Sequence, residues 1–259
     1  MKNTAIEQDV LTAALKENLD RIEAQIAAAC REAGRPRDEV ALMAVSKMHP
    51  ASAIIAAEGL GVRLFGENRV QEFQEKSGLL SLAHGKPHGT PGQAGQAGAE
   101  FHLIGHLQSN KAARAAELFS SVDTLDSVSL AERLDQAALR AGRRLAVLIE
   151  IKLSPEESKA GLDPESAELG VLLERLPDLR GLELRGLMMV PPFLEDLSAV
   201  RPYFRGLRVL RDRLAAAHPR LSFAELSMGM SHDFPVAIAE GATQVRIGTA
   251  LFGARNYSQ

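Results

Sequence analysis

The sequence predicts an α/β protein, a single (β/α)8 TIM barrel with an extra N-terminal helix. Two observations carry that reading. Short β-type runs alternate with helical segments along almost the whole chain, the signature of a parallel sheet with helices packed outside it. Eight such units in 259 residues match a closed eight-stranded barrel, although a doubly wound open sheet accommodates the same order. The composition agrees, because a chain that is 46% hydrophobic and 24% charged can fill one sizeable core; 1–259 is therefore read as one domain.

Taken in order, Leu15, Leu19, Ile22 and Ile26 recur at steps of four, three and four, which places one apolar stripe on a helix that Gly34 and Pro36 end. Strands are predicted over 40–46, 62–65, 101–105, 121–125, 145–151, 182–188, 222–228 and 244–248. Helices are predicted between them over 51–58, 68–76, 109–118, 128–141, 164–176, 196–217 and 233–240. Residues 81–99 break the rhythm: SLAHGKPHGTPGQAGQAGA has too few large apolar groups to pack and reads as a flexible surface loop. His84 and His88 stand four apart there, but Gly85 and Pro87 between them deny a helix face that would aim both at a metal, so no metal site is expected.

Several classes are set aside by composition. The formal net charge of −3 offers no basic field for nucleic acid or an anionic membrane surface. One cysteine, Cys30, excludes an intramolecular disulfide and a cysteine-based zinc site, and fits a reducing compartment. The N-terminus carries Glu7 and Asp9 where a signal peptide needs an apolar run, and no segment has the length of a membrane span. A cytoplasmic protein is expected, and a complete barrel needs no partner to close its core, so a monomer is expected too.

In a parallel barrel the functional side chains gather at the C-terminal ends of the strands. Lys47 follows the first strand, Glu67 and Asn68 the second, and Gly105, His106, Gln108 and Asn110 the third. Ser227, Gly229 and Ser231 follow the seventh; Arg246, Gly248 and Thr249 close the eighth. Each alone has a bland explanation, as a turn glycine or a helix cap. Together, the glycine-rich loops after strands seven and eight offer bare N–H groups suited to a phosphate. A lysine across the rim from such a cradle suggests a phosphorylated aldehyde bound as a Schiff base, and pyridoxal 5'-phosphate carries both handles. An arginine such as Arg246 facing the pyridine nitrogen would keep it unprotonated and the ring a weak electron sink. Position alone leaves Lys47 open between that role and an ordinary solvated lysine. Ser231-His232-Asp233 spells a hydrolytic triad, but consecutive side chains cannot line up as one; Asp233 is read as the cap of the helix begun by Pro235.

The motifs AVSKMHP, FGENRVQEF, FHLIGHLQSNK, ESKAGL, RGLMMV and LSMGMSHDFPVAIAEGATQVRIGTALFGAR occur in an order and spacing that resemble the pyridoxal phosphate homeostasis proteins, from about residue 10 onward. The resemblance implies a barrel like the N-terminal domain of alanine racemase, with pyridoxal phosphate held as an internal aldimine on Lys47. It implies Asn68 beside the ring, Arg246 at the pyridine nitrogen, and Ser227, Met228, Gly229, Gly248 and Thr249 around the phosphate. It also implies a carrier that supplies cofactor, with apoenzymes that need it as partners, rather than an established catalyst. Phe101, Met48 and Pro235 depart from residues usual in that family, and none of the three is an expected cofactor contact.

The alternatives are a racemase-like enzyme and a Schiff-base aldolase using Lys47. A racemase needs a second acid–base group, supplied in barrel-type alanine racemases by a tyrosine of another domain. Here the tyrosines are Tyr203, in a predicted helix, and Tyr257, near the C-terminus. The carrier reading is preferred.

Overall fold

Helix α1 (Lys2–Glu32) ends where Gly34 takes a left-handed conformation, φ +65°, and the Arg35 N–H reaches back to Cys30 O at 2.9 Å. Leu15, Ile22 and Ile26 of its apolar stripe are buried, and Leu19 packs against the same cluster. The computed structural model describes residues 2–84, 98–154 and 160–253.

Among the described residues, eight parallel strands follow: β1 (Ala41–Val45), β2 (Leu64–Glu67), β3 (Glu100–Leu103), β4 (Ser121–Leu125), β5 (Leu145–Glu150), β6 (Leu182–Met188), β7 (Glu225–Met230) and β8 (Gln244–Ile247). Each pairs with the next, and β8 pairs with β1 through Leu42–Val245 and Met43–Arg246, so the sheet closes into the predicted barrel. Helices α2 (Ala51–Gly59), α3 (Val70–His84), α4 (Ala112–Leu118), α5 (Val128–Arg140), α6 (Ala167–Arg175), α7 (Leu197–Ala217), α8 (Phe234–Ala239) and α9 (Thr249–Phe252) surround it. Three helix starts are fixed by side chains that satisfy otherwise open N–H groups: Ser127 accepts from Leu130, Ser166 from Leu169 and Asp196 from Ser198.

The core lies between strands and helices. Val122, Val147, Ile149, Leu226, Val245 and Ile247 face outward into it, and Phe65, Phe73, Phe101 and Phe119 form a buried aromatic stack with centroid separations of 4.5–5.3 Å. Full burial of each such ring stabilises by about 2–3 kcal/mol. Phe101 therefore packs the outer layer, away from the lumen.

Several boundaries differ from expectation: α4 and α6 each begin three residues later than predicted, and β3 spans 100–103 rather than 101–105. Strand β2 begins two residues later than predicted and contains Gly66, whose added Cβ would lie 2.7 Å from Met43 Sδ and 2.8 Å from Ile104 Cδ1; this glycine makes room rather than a turn. Strand β7 begins at Glu225, not 222, and its pairing with β8 shifts between Ser227 and Met230, where Gly229 has φ +91°. Helix α3 runs to His84, so 81–84 of the expected loop are helical; 85–97, with His88, lie outside the described residues.

Candidate functional site

The site is built at the C-terminal mouth. Lys47 lies directly past β1, half-buried, and Asn68 directly past β2. The next residue, Met48, holds φ +63°, a positive value that no other non-glycine residue among those described shows. For a residue with a Cβ this costs roughly 1–2 kcal/mol. What holds it there is a buried cluster that the sequence reading missed. Lys76 Nζ of α3 donates to Ser46 O at 2.9 Å and to Glu67 Oε1 at 2.8 Å, and lies 2.7 Å from Glu72 Oε1. Ser46 Oγ donates to Glu67 at 2.7 Å, and the Met48 N–H donates to Glu72 at 2.5 Å. The backbone is thus tied on both sides of Lys47.

Charges inside this cluster are unequal. Burial pushes the Glu67 carboxyl up despite the opposing Lys76 ammonium, whereas for Glu72 the Lys76 contact and the Met48 N–H outweigh burial and hold it below the usual range. Glu67, expected at the rim, in fact turns between β1, β2 and α3. The Glu72–Lys76 spacing of four was visible in the sequence, but its burial was not.

The lumen carries a polar column. Asp123 of β4 accepts from His102 Nδ1 at 3.1 Å, from Ser121 Oγ at 2.6 Å and, at 3.4 Å, from Gln244 Nε2 of β8. Because β4 and β8 stand on opposite sides of the ring, that last contact crosses the lumen. Gln244 also donates to Ser227 Oγ at 2.8 Å. The same oxygen accepts from Arg246 Nη1 at 2.8 Å, while Arg246 Nη2 donates to Met189 O at 2.7 Å. The guanidinium is 4% exposed; burial lowers its pKa, and the charges of Asp123, Glu150 and Asp233 oppose that shift. Sequence reasoning placed Arg246 correctly at the mouth but missed Gln244, His102 and Asp123, which hold it from below.

Glu150 ends β5 with its neighbours Ile149 and Ile151 in the outer core, so its own side chain faces the lumen. Its Oε2 is buried with no hydrogen-bond partner among the described residues. Burial, then the nearby Asp126 carboxylate, push its pKa up to about 7 against the pull of Arg246 and His106. Above it, His106 Nδ1 pairs with Asp126 at 3.1 Å.

The glycine loops lie side by side. At Gly229 an added Cβ would come within 2.6 Å of Ala237 Cβ and 3.0 Å of Phe234 Cα, so α8 starts directly against β7. Asp233 occupies the cap position of α8, but its carboxylate accepts from the Met230 N–H at 2.6 Å and makes no side-chain bond to the helix, which corrects the expected cap. The Ala250 N–H of α9 reaches Ser231 Oγ at 3.5 Å, and the Phe252 ring stacks on His49 at 4.9 Å. Gly248 is half-buried beside Val45, and Thr249 is exposed. Lys47 therefore sits beside this cradle, since β1 and β8 are bonded neighbours, and not across the rim as expected. Asn68 joins from the other flank: a Cβ on Gly105 would lie 2.4 Å from Asn68 O. Among the described residues no group of three or more His, Cys, Asp or Glu side chains could hold a metal, and no helix is long and apolar enough to cross a membrane.

A closed parallel barrel with a lysine after its first strand, a lumenal arginine and bare loops after its last two strands defines a class, that of single-barrel relatives of alanine racemase. Residues 17–256 match the family model described as alanine racemase, N-terminal domain. The chain is 40% identical over 241 residues to the pyridoxal phosphate homeostasis protein of Aquifex aeolicus, covering 93% of this chain and 98% of that protein. It is 40% identical over 245 residues to the protein of that name in Escherichia coli K12, covering 95% and 98%. Among solved structures, PipY of Synechococcus elongatus with pyridoxal phosphate bound superposes with a TM-score of 0.78 at 40% identity, covering 92% of this chain and all of that one. This chain belongs to the pyridoxal phosphate homeostasis protein family, on the fold of the alanine racemase N-terminal domain.

Proposed function

We propose that this protein binds pyridoxal 5'-phosphate at the C-terminal mouth and serves the homeostasis of that cofactor, holding it covalently through the Lys47 amine. The observation that carries the reading is the fixed lumenal guanidinium of Arg246 beside the strand that presents Lys47. The residues fit the group: Arg246 is immobilised in the lumen, where it could partner a pyridine nitrogen, and Glu150 holds a buried polar atom that lacks a partner among the described residues. Bound, the cofactor supplies an aldehyde carbon that condenses with amines and a ring that delocalises charge.

The chain's own residues then divide the work. The Ser46, Glu67, Glu72 and Lys76 cluster fixes the backbone around Lys47 and so presents its amine, the group that would attack a carbonyl, at the mouth. Arg246 retains its proton and offers only donors, so it disfavours a protonated ring nitrogen. Backbone N–H groups at Met228, Gly229, Gly248 and Thr249 would hold the phosphate, Ser227 anchors Arg246 through its hydroxyl, and Asn68 would lie beside the ring.

The role is storage and supply to apoenzymes that need the cofactor. Tyr203 lies in α7 and packs against the outer core, which leaves it unsuited to the second acid–base role of a racemase; Tyr257 lies outside the described residues. The loaded protein should show a visible absorption band and, with single-enantiomer amino acids in deuterated water, no useful rate of deuterium entry at Cα. Rapid, stereochemically scrambling exchange would replace the carrier reading with an enzyme.

A further inference from the structure

The scheme above gives Glu150 no defined contact, yet it is 7% exposed, faces the lumen, and leaves Oε2 without a partner among the described residues. Such an orphaned buried oxygen destabilises the free protein unless something else satisfies it. The charged groups around it come from three elements: Asp126 past β4, His106 past β3 and Arg246 on β8; on β6 its paired neighbour is the uncharged Met188. Asp126 is already paired with His106, and Arg246 spends Nη1 and Nη2 on Ser227 and Met189. Among the described residues no side chain supplies the missing hydrogen bond.

We infer that Glu150 is a ligand-contact residue, present in the loaded protein as the neutral carboxylic acid and donating its hydrogen to an anionic oxygen of the bound cofactor. The inference rests on the pyridoxal phosphate reading. That ligand brings a phosphate and an acidic ring hydroxyl, so a carboxylate facing it would be repelled, whereas a carboxylic acid gives a strong charge-assisted bond. Burial and Asp126 already push the free protein's Glu150 up to about 7, and added negative charge pushes further in the same direction. Binding above neutral pH therefore draws one proton from solvent onto Glu150, with no change of oxidation state.

The test is the dissociation constant of pyridoxal phosphate from pH 6 to 9 in the wild type and in Glu150→Gln, which keeps the shape and cannot ionise. Ionisations common to both proteins cancel in the ratio of their dissociation constants, so the ratio reads Glu150. The wild type should weaken relative to the variant by about tenfold per pH unit above 7. Glu150→Met, which cannot ionise either, should give the same pH dependence of the ratio, and it stands in should the amide variant not fold. A pH-independent ratio in a wild type that binds overturns the role of Glu150 alone. A wild type that takes up no pyridoxal phosphate at any pH overturns this inference together with the reading beneath it.

Discussion

The two mouths of the barrel differ in how their charges are answered. At the N-terminal mouth a depression of about 460 Å3 is lined by Arg35, Glu39, Glu100, His102, Arg185 and Glu225. Opposite charges face one another there: Arg35 donates to Glu39 and to Ile238 and Ala242 carbonyls, Arg185 lies 3.6 Å from Glu183 and 3.8 Å from Glu225, and His102 is bonded to Asp123. The C-terminal mouth instead has a lysine on a strained turn, an arginine fixed in the lumen, glycine loops and an unanswered carboxyl oxygen. At the N-terminal mouth the charges are largely answered within the protein, although His102 Nε2 is buried without a hydrogen-bond partner among the described residues. Paired charge at this end accords with the rule that the bottom of such a barrel serves stability.

Three experiments bear on that contrast, in falling order of effect. Asp123→Ala leaves a buried His102 unpaired and should lower unfolding free energy by about 3–5 kcal/mol in a urea melt. A loss below 1 kcal/mol would mean that the lower column is not structural. Next comes pH. Burial alone would pull His102 down, but the Asp123 carboxylate holds it up at about 9, with Glu100 Oε2 3.9 Å away adding charge but no hydrogen bond. A folded value above the unfolded value of about 6.5 means the stabilisation is complete below pH 6.5 and lost as pH rises through 9. Asp123, lowered by His102, stays ionised throughout. The stability difference between wild type and His102→Gln should therefore shrink by up to about 3 kcal/mol between pH 6 and 10; a difference flat in pH would show a neutral imidazole. Smallest in stability is Gly229→Ala, at about 2 kcal/mol for a side chain forced into positive φ. It should also weaken pyridoxal phosphate at least about tenfold, about 1.4 kcal/mol, by equilibrium dialysis. Equal affinity would free the β7 loop from any role in the cradle.

Much of this was legible in the chain. The eight strands follow from β-type runs, and α1 from its apolar stripe and the Gly34 stop. Lys47, Asn68, Gly229 and Arg246 were findable because a barrel gathers strand ends, which sequence spacing alone can count. What escaped was lateral. That β8 bonds to β1, so that Lys47 is beside the glycine loops, depends on closure. That Glu67 turns outward to Lys76, or Glu150 inward to Arg246, depends on which face of a strand is lumen, and near-continuous apolar strands such as LAVLIE hide the alternation that would reveal it. The close packing at Gly66 and Gly229 escaped as well, because a sequence does not show which neighbour occupies the space of a Cβ.

The central claim is that the Lys47 amine takes the aldehyde of pyridoxal phosphate. Borohydride reduction of the mixture, followed by tryptic mapping, tests it directly. The account predicts one phosphopyridoxyl group per chain on a fragment spanning residues 38–63 that trypsin no longer cuts at Lys47. Label on other lysines with Lys47 unmodified, or no label at all, would contradict it.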